Sequence, residues 1–369
     1  GILKEVEYMK LALDLAKKGC GYVNPNPMVG AVIVKNDEII GVGYHEKYGE
    51  LHAERNAIAN CISSPKDATI YVTLEPCCHY GKTPPCTDAI IESGIKKVVI
   101  GSSDPNPLVS GKGVEILRSN NIEVVENVLK DECDKLNEVF FYYMKTKIPY
   151  VVMKYAMTMD GKIATYTGKS KWITGEEARL NVHKDRHRYS GIMVGVETVL
   201  TDDPMLNCRI QDGKNPTRII CDTNLRTPLD SNIVSSSKNI PTIIATCCDN
   251  EDKQKQYIEK GCKVIKISKK DNHLDLNKLM ICLGEEKIDS ILLEGGGTLN
   301  WSALNNNIVN KVQTYISPKI FGGINSKSPV AGIGVENPKQ AFYLKNIAIK
   351  QIGEDILIES EVKRNCLQG

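Results

Sequence analysis

His52-Ala53-Glu54 and Glu75-Pro76-Cys77-Cys78-His79-Tyr80-Gly81-Lys82-Thr83-Pro84-Pro85-Cys86 are the two stretches on which the reading of this chain turns. His52, Cys77 and Cys86 offer one imidazole nitrogen and two thiolates. Three protein ligands leave the fourth tetrahedral position of a zinc ion open to water, the arrangement of a catalytic rather than a structural site. Glu54 stands beside that position without being needed as a ligand. A carboxylate there can take a proton from activated water and pass it on to a reacting ring and a leaving group. Cys78 and His79 are rival ligands by proximity. A direct neighbour of Cys77 points to the other side of the chain, and Pro84-Pro85 gives Cys86 a rigid approach, so Cys86 is preferred.

The flanking sequence sets these residues at the ends of regular elements. Apolar spacing over residues 5–18 predicts a helix, stopped by Gly19. Val29–Val34 and Glu38–Val42 read as a hairpin turning at Lys35-Asn36-Asp37. The loop Asn24-Pro25-Asn26-Pro27 before it reads as a tight connector, with a substrate-facing role as the alternative. A helix over 52–61 would carry His52 and Glu54 in its first turn, where amides and dipole favour an anion. The β-branched and aromatic run 69–74 predicts a buried strand, with Cys77 just past its end. A helix over 87–93, a strand over 96–100 and one helix over 131–147 complete the first half.

Composition frames the rest. With 369 residues, two domains are expected, and we place the boundary so that they cover 1–147 and 148–369. Hydrophobic content of 41% and charged content of 25% suit a globular protein. A net charge of +2 gives no electrostatic footprint for nucleic acid. No apolar run reaches a membrane span, no secretory leader opens the chain, and a membrane partner is not expected. Thirteen scattered cysteines, an odd number, fit a reducing cytoplasm better than a disulfide framework.

The second half alternates strands (150–155, 191–194, 217–221, 241–246, 263–267, 288–293, 310–316, 342–349, 355–361) with helices at 175–188, 252–260 and 275–284. That pattern predicts an α/β fold with a mostly parallel sheet and an antiparallel edge. A Rossmann G-x-G-x-x-G after the first strand is missing. Gly168-Lys169-Ser170 mimics the tail of a P-loop but has Ile163 where its first glycine is required. Ile291-Leu-Leu-Glu294-Gly-Gly-Gly-Thr298-Leu-Asn-Trp-Ser302 is a strand, a glycine turn and a helix start. It reads equally as a bare turn or as a phosphate cradle.

Several segments together resemble a known family. Asn24-Pro-Asn-Pro-Met-Val-Gly, the His52 segment, Glu75 to Thr87 and Asp104-Pro-Asn-Pro-Leu-Val-Ser-Gly-Lys-Gly113 resemble the deaminase domain of bifunctional riboflavin-biosynthesis deaminase/reductases. General deaminases have P-C-x-x-C where this chain has eight residues between its cysteines. Met153-Lys-Tyr-Ala-Met-Thr-Met-Asp-Gly-Lys162, Ser170-Lys-Trp-Ile-Thr174, Gly195 to Pro204 and Glu294 to Leu299 resemble the reductase domain. The resemblance implies a cytidine-deaminase-like α/β/α domain followed by a dihydrofolate-reductase-like α/β domain. It implies zinc and NADPH as cofactors, and a pyrimidine ribosylamino 5′-phosphate as substrate, deaminated and then reduced to the ribityl form. It further implies an oligomer formed through the reductase domain.

The resemblance also implies zinc on His52, Cys77 and Cys86 and proton transfer by Glu54. Cofactor contacts are implied at Ala156, Trp172, Thr198, Asp202, Thr223, Gly296, Gly297, Thr298, Leu299, Asn300, Trp301 and Ser302. Substrate contacts are implied at Ser170, Arg186, Leu206, Arg209 and Glu294. Arginines 186 and 209 suit a 5′-phosphate chemically. For proton delivery in the reduction, Lys154, Asp202 and Glu294 all remain open. Glu197 stands where the family has a small residue and has no role at this stage. Two other readings compete: a cytidine- or deoxycytidylate-type deaminase fused to an unrelated reductase, and a non-catalytic zinc- and dinucleotide-binding regulator. Glu54 argues against the last, because a structural zinc site has no use for an unliganded carboxylate.

Overall fold

The computed structural model describes residues 2–81, 83–171 and 173–364. The chain separates into two compact units, Gly1–Thr146 and Lys147–Gly369. No helix among the described residues is long and apolar enough to cross a membrane.

Unit 1 contains α1 (Ile2–Lys17), β1 (Gly30–Lys35), β2 (Glu38–Tyr44), α2 (Ala53–Ala59), β3 (Thr69–Leu74), α3 (Cys86–Ser93), β4 (Lys97–Ser102), α4 (Lys112–Ser119), β5 (Glu123–Val125), α5 (Lys130–Leu136) and α6 (Glu138–Thr146). Its five strands run β2-β1-β3-β4-β5. The β1–β2 and β1–β3 pairs are antiparallel, and β3–β4 and β4–β5 are parallel. The hairpin turn falls at Asn36 and Asp37, both in the left-handed region that Asn and Asp tolerate. β3 and β4 are buried on both faces, as their unbroken apolar runs require. One apolar cluster joins Ile33, Ile70, Val72, Ile90, Val98 and Leu117 on one face of the sheet, and a second joins Met9, Ala12, Val32, Tyr71 and Val99 on the other.

The single helix expected over 131–147 is two helices, broken at Asn137. That side chain accepts from the Met28 amide at 2.9 Å and donates to the Met28 carbonyl at 2.8 Å. Asn137 is 3% exposed. Satisfying a buried amide on a backbone 109 residues away outweighs continuing the helix.

Unit 2 contains β6 (Tyr150–Thr158), α7 (Glu176–Arg188), β7 (Gly191–Gly195), α8 (Val196–Asp202), β8 (Thr217–Cys221), α9 (Asn232–Ser235), β9 (Thr242–Thr246), α10 (Glu251–Lys260), β10 (Lys263–Lys266), β11 (Lys269–Lys270), β12 (His273–Leu274), α11 (Leu276–Glu285), β13 (Ser290–Leu293), α12 (Gly297–Asn305), β14 (Lys311–Ser317), β15 (Leu344–Ile352) and β16 (Asp355–Val362). Nine strands form one sheet in the order β10-β9-β8-β7-β13-β6-β14-β16-β15. Every neighbouring pair from β10 to β14 is parallel, and β14–β16 and β16–β15 are antiparallel. The expected mixed sheet with an antiparallel edge is therefore present. The short helices α8 and α9 and the β11–β12 hairpin had no counterpart in the sequence reading, because each spans two turns or fewer. The carboxyl ends of β6, β13, β7 and β8 lie along one edge of the sheet, where α/β proteins place ligands.

Candidate functional sites

In unit 1 the fold brings three donor atoms together. His52 is the N-cap of α2 with extended backbone, and Glu54 lies in the helix's first turn. Cys77 follows β3, and Cys86 opens α3 directly after the cap residue Pro85. His52, Cys77 and Cys86 form the one group of three among the described residues able to hold a metal, with ligand atoms within 4.8 Å of one another. Cys78 and His79 fall outside it. His52 Nδ1 lies 3.8 Å from Cys77 Sγ and 3.3 Å from Cys86 Sγ. Zinc bonds of about 2.0 Å to nitrogen and 2.3 Å to sulfur at tetrahedral angles place N and S about 3.6 Å apart. The two distances bracket that value, so the donor set fits zinc.

The thiols are already polarised. The Cys86 thiol points its proton at Cys77, which holds Cys77 down to about 4 and pushes Cys86 up. The Cys86 amide donates to Cys77 Sγ at 3.2 Å, and a hydrogen bond to Cys77 raises the pKa of His52 against the effect of burial. Glu54 is 4% exposed. Burial, and then the Cys77 charge, push its carboxyl up to about 7.

Sequence reasoning missed the residues that support this centre. His45, 3% exposed, meets the His52 ring edge-on with centroids 5.5 Å apart. Its Nδ1–H donates to the Leu51 carbonyl at 3.0 Å, so its Nε2 accepts from Asn26 Nδ2 at 3.2 Å and the ring is neutral. Burial also lowers its pKa. Asn26 thus gives the Asn24–Pro27 loop a purpose beyond connection. Arg55 donates to the carbonyls of Pro84 at 2.8 Å and Pro85 at 3.3 Å, tying α2 to the loop between the cysteines. Glu75 accepts from the amides of Gly111 and Gly113 at 3.1–3.2 Å. The only local signals were a His after Gly43-Tyr44 and charged residues abutting each motif. Neither names its partner.

In unit 2 a cavity of about 1020 Å³ opens along the carboxyl ends of the parallel strands. Of the expected cofactor residues, Ala156, Thr198, Asp202, Thr223, Gly296, Gly297, Thr298, Leu299, Asn300 and Ser302 line it. Trp301 does not. It packs edge-on against Phe342 at 5.7 Å, because α12 turns residue 301 about 100° round the helix axis from Asn300. Trp172 lies outside the described residues. Of the expected substrate residues, Ser170, Arg186, Leu206 and Glu294 line the cavity. Arg209 does not; it is an exposed residue on His183 Nε2 at 3.2 Å and Asn207 Oδ1 at 3.3 Å.

Glu294 is the electrostatic centre of this cavity. Arg186 holds it bidentately, Nε to Oε2 at 2.9 Å and Nη2 to Oε1 at 3.0 Å, and Lys154 Nζ reaches Oε1 at 3.2 Å. Burial opposes ionisation of Glu294, but Arg186 and Lys154 outweigh it and hold the carboxyl at about 2. Arg186 is therefore oriented by a carboxylate at the cavity wall. The two cations keep Glu294 in its ionised form.

The cavity also fits a dinucleotide. Gly296 caps α12 with no side-chain acceptor, leaving the helix's first amides to an anion. A Cβ at Gly297 would stand 3.1 Å from Ala331 Cβ, so a larger residue there would crowd the 331 segment. Glu197 donates its charge to a rim contact, 2.6 Å from Arg226 Nη2.

Comparisons with known proteins agree across both units. Residues 3–102 match the cytidine and deoxycytidylate deaminase zinc-binding region, and residues 149–358 match the RibD C-terminal domain. A riboflavin biosynthesis protein RibD from Actinobacillus pleuropneumoniae is 56% identical over 97% of this chain and 95% of its own length. The solved structure of Acinetobacter baumannii RibD superposes with a TM-score of 0.89 at 34% identity, covering 99% of this chain and 100% of that one. A Thermotoga maritima structure, named a diaminohydroxyphosphoribosylaminopyrimidine deaminase/5-amino-6-(5-phosphoribosylamino)uracil reductase, has a TM-score of 0.84 at 40% identity and covers 98% of this chain and 99% of that one. On fold, zinc-site geometry and full-length similarity together, this chain belongs to the RibD family of riboflavin biosynthesis proteins, enzymes that carry a deaminase and a reductase on one polypeptide.

Proposed function

We propose that unit 1 hydrolytically deaminates 2,5-diamino-6-ribosylamino-4(3H)-pyrimidinone 5′-phosphate and that unit 2 then reduces the ribosyl group of the product to a ribityl chain. The observation that carries the first step is a buried, unliganded Glu54 beside the His52–Cys77–Cys86 donor set. When bound there, zinc supplies the Lewis acidity that makes water a nucleophile at neutral pH. Glu54 takes the proton of that water and returns it, first to the pyrimidine ring nitrogen and then to the departing ammonia. His45 and Arg55 position His52 and the Cys77–Cys86 loop around it.

In unit 2, NADPH supplies a hydride for C1′ once the ribosylamine has opened to an imine. The amides at the start of α12 bind the cofactor's pyrophosphate. Glu294 stays ionised and orients both Arg186 and Lys154. Lys154, with Nζ 3.2 Å from Glu294 Oε1, delivers the proton to the nascent amine. The protein's task is alignment of the nicotinamide with C1′.

A homo-oligomer through unit 2 is part of this reading. β15 is an edge strand exposed along nearly its whole length, with Leu344, Ile347 and Ile349 in the open. Unpaired apolar edges of this kind are ordinarily covered. The cytoplasm suits a chain whose cysteines, among the described residues, are all free thiols. With a net charge of +2 no nucleic-acid partner is proposed.

The test is ammonia release from the diaminopyrimidinone phosphate and from cytidine, coupled to NADPH oxidation. The reading predicts ammonia from the former, followed by oxidation in equal amount. Ammonia from cytidine alone would favour the simpler deaminase and overturn it.

A further inference from the structure

We infer that His183 and His187, one turn apart on α7, are positioning residues for the reduction. Their Nδ1 atoms hold the segment between α8 and β8 in the shape that makes it a wall of the unit 2 cavity. This rests on the reading of that cavity as the reductase site.

The segment has no regular structure of its own: residues 203–216 lie in neither helix nor strand. It nevertheless supplies Pro204 and Leu206 to the cavity wall. Leu206 is buried with φ at +52°, a left-handed conformation that a leucine does not choose. Its surroundings must impose that shape. Two arginines fix the carbonyls on either side. Arg218, fully buried on β8, donates from Nη1 to the Met205 carbonyl at 2.9 Å. Arg186 donates from Nη1 to the Asn207 carbonyl at 3.1 Å.

The amides beyond Leu206 need acceptors, and α7 provides them. The Arg209 amide donates to His183 Nδ1 at 3.2 Å, and the Lys214 amide donates to His187 Nδ1 at 2.9 Å. The Cys208 thiol donates to the His183 carbonyl at 3.3 Å, so residue 183 grips the segment with both ring and backbone. Residues i and i+4 share one face of a helix. A turn closed by the Gly213 amide on the Ile210 carbonyl at 3.1 Å folds the segment back, so that both amides meet that face. The segment adjoins Arg186, which clamps Glu294 beside Lys154. Its displacement is therefore felt by the pyrimidine at the charged end of the cavity before it is felt by the dinucleotide at the start of α12.

A backbone amide can only donate, so each Nδ1 must offer a lone pair and each ring is neutral with its proton on Nε2. For His183, burial, then the charges of Arg186 and Arg209, outweigh Glu294 and lower the pKa to about 4. The acceptor therefore persists at neutral pH. The same tautomer sets the Nε2–H against Arg209 Nη2 at 3.2 Å, donor to donor. The ring thus fixes the Arg209 backbone without engaging its guanidinium. What the segment requires of residue 183 is an acceptor at the place of Nδ1, which an asparagine Oδ1 supplies and a leucine of similar bulk does not.

Two measurements on the intact protein test this. Hydrogen–deuterium exchange is followed by mass spectrometry across residues 205–214, and NADPH oxidation is measured with pre-deaminated substrate. His183→Leu should speed exchange of that peptide about tenfold, the worth of one hydrogen bond. It should raise the KM for the pyrimidine by a similar factor and leave the KM for NADPH within about twofold. His183→Asn should stay within about threefold of the wild type in both measurements, because the acceptor is retained. His187→Leu and His187→Asn should divide in the same way with a smaller effect on KM, since Lys214 lies farther along the chain from Leu206. Equal behaviour of the Leu and Asn variants at residue 183 would overturn the inference, because shape alone would then account for the histidine. So would a KM for NADPH that rises in step with that of the pyrimidine. A wild type that oxidises no NADPH with the pre-deaminated substrate would instead sink the reading of the cavity, while the exchange measurement still decides whether the histidines hold the segment.

Discussion

Replacing Glu294 by Gln keeps the side chain's shape and deletes its charge. The residue's side chain is 7% exposed, and its partners Arg186 and Lys154 are 13% and 15% exposed. Two buried cations would be left facing a neutral amide. The Glu294 carboxyl ionises at about 2 rather than 4.5, which corresponds to about 3 kcal/mol of stabilisation at neutral pH. Breaking a buried ion pair by removing one partner costs about 3–5 kcal/mol, the same range. The folded pKa lies below the unfolded one. The contribution is therefore complete above about 4.5 and is lost as pH falls toward about 2. Urea unfolding followed by tryptophan fluorescence is a suitable assay, because both tryptophans, residues 172 and 301, belong to unit 2. Glu294→Gln should lower unit 2 stability by about 3 kcal/mol at pH 7, and the gap should narrow below pH 4. A loss under about 0.5 kcal/mol at pH 7, the level of an ordinary surface change, would refute the ion-pair reasoning. So would a gap that does not change with pH.

Three further outcomes are expected. Glu54→Gln should cut ammonia release by about 10²–10⁴-fold while NADPH oxidation with pre-deaminated substrate persists; a matching loss in both steps would contradict the division of labour. Cys86→Ser should strip zinc from the purified protein, measured by elemental analysis, because one of two thiolate ligands is gone and the buried position admits no substitute. Ile349→Lys, on the exposed edge strand β15, should shift sedimentation toward monomer, and an unchanged sedimentation coefficient would remove β15 from the interface.

The chain's local chemistry was legible wherever a residue acts together with its own element. The run 69–74 has no polar face and becomes β3, buried on both sides. His52 and Glu54 fall at the start of α2, and Cys86 follows Pro84-Pro85 into α3. The eight-residue gap between Cys77 and Cys86 had already separated this site from simpler deaminases. In unit 2 the alternation of apolar runs and helical stretches implied the parallel sheet, and the three glycines after Leu293 marked the start of α12.

What sequence could not decide was which groups meet across the fold. Arg186 suits a phosphate by residue type, but its pairing with Glu294, 108 residues away, had no signal along the chain. Asn137 breaks a helix that its neighbours would continue, because Met28 supplies two backbone groups to its amide. Trp301 sits in a motif whose neighbours line the cavity, yet helical rotation turns it onto Phe342. Glu197 acquired a partner only when Arg226 came within 2.6 Å. Spacing along a chain determines period and end effects, since these depend on bonds and torsions within a few residues. The identity of a charge's partner depends on which strand edges and helix faces pack together, and that is settled by burial summed over the whole unit. The sequence by itself determined the metal chemistry of unit 1; only the tertiary structure decided how the charges of unit 2 are shared.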